Sequence, residues 1–275
     1  MNKPDTTTPL RPVAPRRGTV VYPQASAAYR SIDAYAPDEA LAPFVEYFWV
    51  VRWDLAEPRV SQTIPQPRIH LTIEGSRVLV YGIDRKPFKR TISGTGVVLG
   101  VAFRPAGFRA FVDCSLKTLQ DRVVPASSLF GVPFEPPAFI RPDDADLVDF
   151  AQALLLAQQP EVDPDAIWCH DLVQRADDDR SITQVRQLAE IAGVSERSLQ
   201  RRFNDYVGAT PKWVIQRGRI MSLVADCNEG GSIDWATAAT DLGFADQAHL
   251  IRVFRAIVGV TPDLYLRRIQ QSQSG

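Results

Sequence analysis

The chain has 275 residues, 45% hydrophobic and 23% charged, an ordinary globular composition long enough for two domains, which excludes a single small module. Its 31 Lys and Arg nearly cancel its 32 Asp and Glu, so total charge gives no sign of a nucleic-acid or membrane binder and only a local asymmetry remains to be found. Three widely separated cysteines, Cys114, Cys169 and Cys227, fit reduced thiols rather than a disulfide framework or a CxxC metal site, and a cytoplasmic location is expected.

Residues 1–24 carry Lys3, Arg11, Arg16 and Arg17 among Pro4, Pro9, Pro12 and Pro15, with no apolar run of signal-peptide length, and read as a disordered tail. No stretch approaches the roughly 20 apolar residues of a membrane span, so no membrane partner is expected.

Residues 25–135 read as a β-rich domain. Short β-branched and aromatic runs, Phe44–Trp53, Arg68–Glu74, Arg77–Tyr81, Phe88–Ile92 and Gly96–Phe103, are separated by Gly and Pro. Ile69, Leu71 and Ile73 alternate with Arg68, His70, Thr72 and Glu74, the period of a half-buried strand. The expected fold is α+β with two domains, the first an antiparallel β barrel or sandwich with flanking helices at Gly107–Val112 and Leu116–Arg122. A proline-rich connection, Pro133 to Pro142, closes it.

Residues 136–180 form a helical connection. Asp143–Gln158 places Leu147, Phe150, Ala151, Leu154 and Leu155 at helical spacing behind an acidic first turn, and Pro164–Ala176 repeats the style. Cys169 and His170 fall on that second helix, where packing explains the cysteine better than nucleophilic chemistry does.

Residues 181–275 form the second domain, and the chain from Arg180 onward holds the charge asymmetry: 12 basic against 9 acidic side chains, with a deficit of basic residues in the rest of the chain. They also hold an internal repeat. Leu199, Arg201, Phe203, Gly208, Thr210 and Pro211 recur 51 positions later as Leu250, Arg252, Phe254, Gly259, Thr261 and Pro262. In each copy a short helix runs into a glycine turn and then a second helix. Gly193 supplies a helix stop and Ser195 caps the first copy's second helix; Asp246 does so in the other. Leu199 and Phe203 share one face, and Arg197, Gln200 and Arg201 the other, which is the plan of a helix-turn-helix reader. Thr210-Pro211 and Thr261-Pro262 each start a further helix. The first of these, about residues 211–225, would be a rod of ~22 Å, able to hold two readers for adjacent major grooves ~34 Å apart.

The segments LAEIAGVSERSLQRRF, GATPKW, DLGFADQAHLIRVF and VGVTPDLY resemble the double helix-turn-helix domain of the AraC/XylS transcription regulators. The resemblance implies an all-α domain of two units joined by a linker helix, binding double-stranded promoter DNA. It implies base contacts from Arg197, Gln200 and Arg201 in the first reader and from Gln247, His249 and Arg252 in the second; Ala248 and Ile251 depart from a polar contact set. Ser195, Arg202, Lys212 and Arg255 are candidates for phosphate contacts. The segments IPQPRIHLTIEG, VYGI and LGVAFRPAGFRAFV resemble an uncharacterised β-rich domain that precedes this kind of DNA-binding domain, and imply a cupin-like sensing or oligomerisation role.

A small-molecule effector, RNA polymerase and a second copy of the chain are the further partners such a regulator implies. Trp49, Trp53, Phe103 and Arg104 are candidates for an effector pocket. The three histidines lie in different segments, so no metal site, cofactor or catalytic residue is expected. Two readings remain open beside a non-enzymatic regulator: an enzymatic N-terminal domain tethered to DNA, and an N-terminal domain that recruits a protein.

Overall fold

The computed structural model describes residues 10–14, 29–131, 142–229 and 233–273. Six strands form one antiparallel sheet: β1 Arg30–Tyr35, β2 Val45–Thr63, β3 His70–Glu74, β4 Arg77–Tyr81, β5 Phe88–Phe103 and β6 Val123–Pro125, in the order β1-β2-β5-β3-β4-β6. The sheet is open and is not closed into a barrel. Its edges are β1 and β6, and closure would need them to pair. Instead, the described part of the expected tail lies antiparallel along the edge of β1: Pro12 bridges Tyr35, and the Val13 amide donates to the Ala34 carbonyl at 2.9 Å. The remainder of residues 1–24 lies outside the described residues.

β1 and β6 escape sequence reading because RSIDAY offers few apolar residues and β6 has only three residues. β2 and β5 are also longer than the apolar runs suggest. Beyond Trp53 they continue as an exposed two-stranded arm, kinked where Ala56, Glu57 and Pro58 oppose Ser93. The Gly and Ser residues of β5 that resemble a break lie inside the strand. A Cβ at Gly96 would collide with the Trp53 indole and one at Gly100 with the Trp49 indole, so glycine there makes room for rings across the pleat.

Alternation divides the sheet into two faces. Phe48, Val50, Leu71, Ile73, Val78, Val80, Leu99, Val101 and Phe103 point into the main core. Tyr47, Val51, Trp53, Val98 and Ala102 line the other face.

The main-core face is covered by helices. After the short α1, Ser127–Phe130, come α2, Asp144–Leu156, and α3, Pro164–Asp178. Asp143 caps α2 by accepting from the Asp146 amide, and Asp163 caps α3 ahead of Pro164 at the first helical position. Tyr35 Oη donates to Asp144 Oδ2 at 2.5 Å, and Arg52 pairs with the same carboxylate, which ties α2 to β1 and β2. Apart from Pro142, the proline-rich connection lies outside the described residues.

Among the described residues six further helices follow: α4 Val185–Ile191, α5 Glu196–Arg202, α6 Pro211–Glu229, α7 Trp235–Asp241, α8 Gln247–Val258 and α9 Pro262–Gln273. The main core does not stop at the sheet and its helices. It continues through Cys169, Leu172 and Val173 of α3 into Leu188, Ala189, Leu199, Phe203 and Val207 around α4 and α5. The last three helices pack in a second core with part of α6, and Ile64 is the sheet-domain residue in it.

Candidate nucleic-acid interface

Two helix-turn-helix units are present, and local chemistry builds both alike. In the first, α4 ends before Gly193 at φ 64°, and Ser195 Oγ accepts from the Ser198 amide at 3.2 Å to start α5. In the second, α7 ends before Gly243 at φ 63°, and Asp246 Oδ1 accepts from the His249 amide at 2.6 Å to start α8. Left-handed φ at both turns favours glycine, and a side-chain acceptor satisfies an amide left free at each helix start. Leu199 and Phe203 are fully buried beneath α5, and Leu250 and Phe254 beneath α8. The units differ at one point: α5 runs into a wider π-type turn, Phe203–Val207, whereas α8 is regular to Val258.

The helical stretch after each turn stops at a glycine, Gly208 at φ 84° and Gly259 at φ 90°. Thr210 Oγ1 then accepts from the Trp213 amide at 3.2 Å, and Pro211 opens α6. At 19 residues, α6 is about 28 Å long, a continuous connector between the units.

The arrangement sorts the basic side chains of this region. Arg180 pairs with Asp226, Arg186 with Glu190, Arg202 with Asp165 and Arg217 with Asp177. Arg217 and Arg219 are buried, so both are lost from the surface charge that the sequence count includes. Arg197, Arg201, Lys212, Arg252 and Arg255 are exposed, and among the described residues no acid pairs with them. Arg197 and Arg201 are on α5, Arg252 and Arg255 on α8, and Lys212 at the start of α6. Gln247 is exposed beside them, and Gln200 is half-buried.

The other sequence candidates are more constrained. Arg202 lies 4.7 Å over the Trp168 ring, with Nη1 3.1 Å from Asp165 Oδ1, so its charge faces α3. His249 packs edge-on against Phe244 at 5.4 Å, and its Nδ1 accepts from the Ala245 amide at 3.5 Å. In the neutral ring this arrangement leaves Nε2 as the donor. The Ser195 hydroxyl is already engaged as the α5 cap.

The four pocket candidates do not converge. Trp49 and Trp53 lie on the face opposite the main core, with Arg90 5.7 Å over Trp53 and His70 6.4 Å from Trp49. Arg30 Nη1 donates to Ser61 Oγ at 2.7 Å, while its Nε and Nη2 are buried without partners. Phe103 is in the main core against Phe108 at 4.8 Å, and Arg104 Nε donates to the Ala42 carbonyl at 2.7 Å. Burial pushes the Cys169 thiol up to about 12, the chemistry of a packed cysteine rather than a nucleophile. Among the described residues, no group of three or more His, Cys, Asp or Glu could hold a metal, and no helix is long and apolar enough to cross a membrane.

Sequence reading misses the contacts between the sheet domain and the units. Arg217 Nε donates to the Pro65 carbonyl at 2.7 Å, and Gln62 Nε2 donates to the Val258 carbonyl at 2.8 Å. No local pattern marks them, since the partners are 152 and 196 residues apart.

Residues 188–268 match a family model described as a helix-turn-helix domain, and residues 33–125 match one described as a domain of unknown function (DUF6597). No curated protein is significantly similar in sequence. Among solved structures, ToxT from Vibrio cholerae is similar at 13% identity over 80% of this chain and 97% of that chain, with a TM-score of 0.42. The DNA-binding domain of AdpA, solved with a target DNA, is similar at 22% identity over 41% and 98%, with a TM-score of 0.33. The AraC-like transcriptional activator CuxR is similar at 12% identity over 88% and 86%, with a TM-score of 0.22.

Proposed function

We propose that the last third of this chain, which matches a helix-turn-helix family model over residues 188–268, is an AraC-type DNA-binding domain and that the protein is a non-enzymatic transcription regulator that binds promoter DNA through α5 and α8. The observation that carries this reading is the sorting of charge: Arg197, Arg201, Arg252 and Arg255 stand exposed and unpaired by any described acid on the two recognition helices, while Arg180, Arg186, Arg202 and Arg217 are paired within the protein.

In this reading Arg197, Gln200, Arg201, Gln247, His249 and Arg252 read base edges. An Arg fork matches guanine O6 and N7, and a Gln amide matches adenine N6 and N7. Lys212 and Arg255, with Ser195, take phosphates and set register without reading sequence. The sheet domain carries the regulatory input. Half-buried Trp49, beside the buried Trp53 with Arg90 over its ring and the part-paired Arg30 across from it, offers an aromatic face with cationic neighbours for a small-molecule effector. A second copy of the chain and RNA polymerase complete the set of partners.

Selection from a random duplex library, followed by fluorescence anisotropy of the enriched duplex at two salt concentrations, tests the reading. The expected result is a bipartite motif with elements about one helical turn apart, bound well above random DNA. Salt-sensitive binding without enrichment would overturn sequence-specific recognition by the free protein.

A further inference from the structure

Gly208 and Gly259 occupy the same position in the two repeat copies, and each closes its recognition helix with positive φ. At both places the sheet domain also approaches. A Cβ on Gly208 would lie 2.9 Å from the Leu116 carbonyl oxygen; one on Gly259 would lie 2.6 Å from Gln62 Nε2 and 3.1 Å from Pro87 Cγ. Two pseudo-equivalent points are therefore gripped by two unrelated parts of one domain.

The grips differ in kind. At the first unit, Ser115 Oγ donates to the Asn204 carbonyl at 3.1 Å and Arg109 lies 5.6 Å over Tyr206, all above a core shared with the sheet. At the second unit, the tip of the β2–β5 arm supplies Gln62, whose amide donates to Val258, the last residue of α8. That carbonyl has no amide partner within its own helix, so an external donor there satisfies it and sits at the negative end of the helix dipole. Ile64 enters the second core a little further along, and Arg217 joins the Pro65 carbonyl to Asp177 of α3.

We propose that the sheet domain is a two-point clamp on the C-terminal ends of both recognition helices, with Gln62 the positioning residue of the second reader. The inference rests on the reading of α5 and α8 as DNA readers. A helix held at its C-terminus presents its N-terminal residues at the far end of a lever, about 18 Å for the 12 residues of α8. The first reader is fixed by a continuous apolar core. The second packs in its own core with α6 and meets the sheet domain through the arm, whose strand runs from Trp49 and Trp53 across the kink at Ala56–Pro58 to Gln62.

Gln62→Met removes the donor at similar volume, and Gln62→Glu sets an acceptor against the Val258 carbonyl. Backbone amide exchange on the full chain without DNA reads the clamp directly. In both variants, exchange across residues 247–258 is expected to rise about fivefold, the scale of one lost hydrogen bond, with residues 196–207 unchanged. On the enriched duplex, protection of the second reader's half-site weakens while the first half-site stays protected. Unchanged exchange in residues 247–258, an equal rise in both segments, or an even loss of the footprint would each overturn the clamp. A selective rise in exchange in a protein that enriches no duplex supports the clamp and removes the DNA reading instead.

Discussion

The Arg219 guanidinium carbon lies 3.8 Å from the centre of the Phe244 ring, and this contact joins the connector helix α6 to the turn of the second unit. Arg219 is 5% exposed, its Nε and Nη2 have no hydrogen-bond partner among the described residues, and burial pushes its pKa down to about 10. The ring face supplies the electrostatic compensation that an acid would otherwise give. Phe244 in turn carries the His249 ring edge-on, so a buried cation supports a residue placed on the reading helix.

A buried cation without an acid favours an apolar replacement of similar size over truncation. Arg219→Met is expected to be near neutral, whereas Arg219→Ala leaves a void over Phe244 and costs about 2 kcal/mol, within the usual range for core truncation. Urea unfolding of both variants checks this. Equal losses for Met and Ala would mean that the charge, not the packed stem, holds the turn.

In the proposed reading Arg201 reads a base and Lys212 binds a phosphate, and the two roles are separable by substitution. Arg201→Ala should cost about 1–3 kcal/mol on the preferred duplex and relax specificity at one base position. Lys212→Ala should weaken all duplexes alike and reduce the salt slope by about one. Competition between the enriched duplex and single-base variants distinguishes the two, and an unchanged site preference in Arg201→Ala would misplace the first reader.

Arg202 is the residue for which charge and position disagree most. Its stacking on Trp168 and pairing with Asp165 predict that Arg202→Gln lowers stability by about 1 kcal/mol, the scale of a part-exposed pair with a cation–π contact. The salt slope of DNA binding should remain unchanged. A slope reduced by one unit would instead make it a phosphate ligand.

His70 makes the fold sensitive to acid. Burial, assisted by the Arg68 charge, pushes its pKa down to about 3, and its Nδ1 is buried without a hydrogen-bond partner among the described residues. Below pH 6.5 the unfolded chain takes up a proton that the folded chain refuses, so stability is full above that pH. It falls as pH drops from 6.5 towards 3, by at most about 1.4 kcal/mol per pH unit. Chemical unfolding from pH 7 to pH 4.5 should show this slope in the parent and a flatter one in His70→Gln. Parallel slopes would assign the acid sensitivity elsewhere.

The repeat in the last third was legible in the sequence because its signals are local. Ser195, Asp246, Gly193, Gly243 and Thr210-Pro211 act on amides and dihedrals within a few residues, and the Leu-x-Arg-x-Phe spacing sets one buried face per helix turn. Alternation likewise revealed β3, and β-branched and aromatic runs bounded by Gly and Pro revealed β4 and the inner parts of β2 and β5. Strands β1 and β6 and the arm were not legible, because their order comes from pairing with distant strands rather than from their own apolar pattern.

The sequence by itself determined the two helix-turn-helix units, their caps and which side chains share the face of Arg197 and Arg201. Only the tertiary structure decided which charges stay free. Asp165 takes Arg202 and Asp177 takes Arg217, while Phe244 covers Arg219. It also decided that the sheet opens rather than closes and that Gln62 reaches the end of α8. A charge is neutralised, or a strand edge paired, by groups close in space, and periodicity along the chain records only neighbours in sequence.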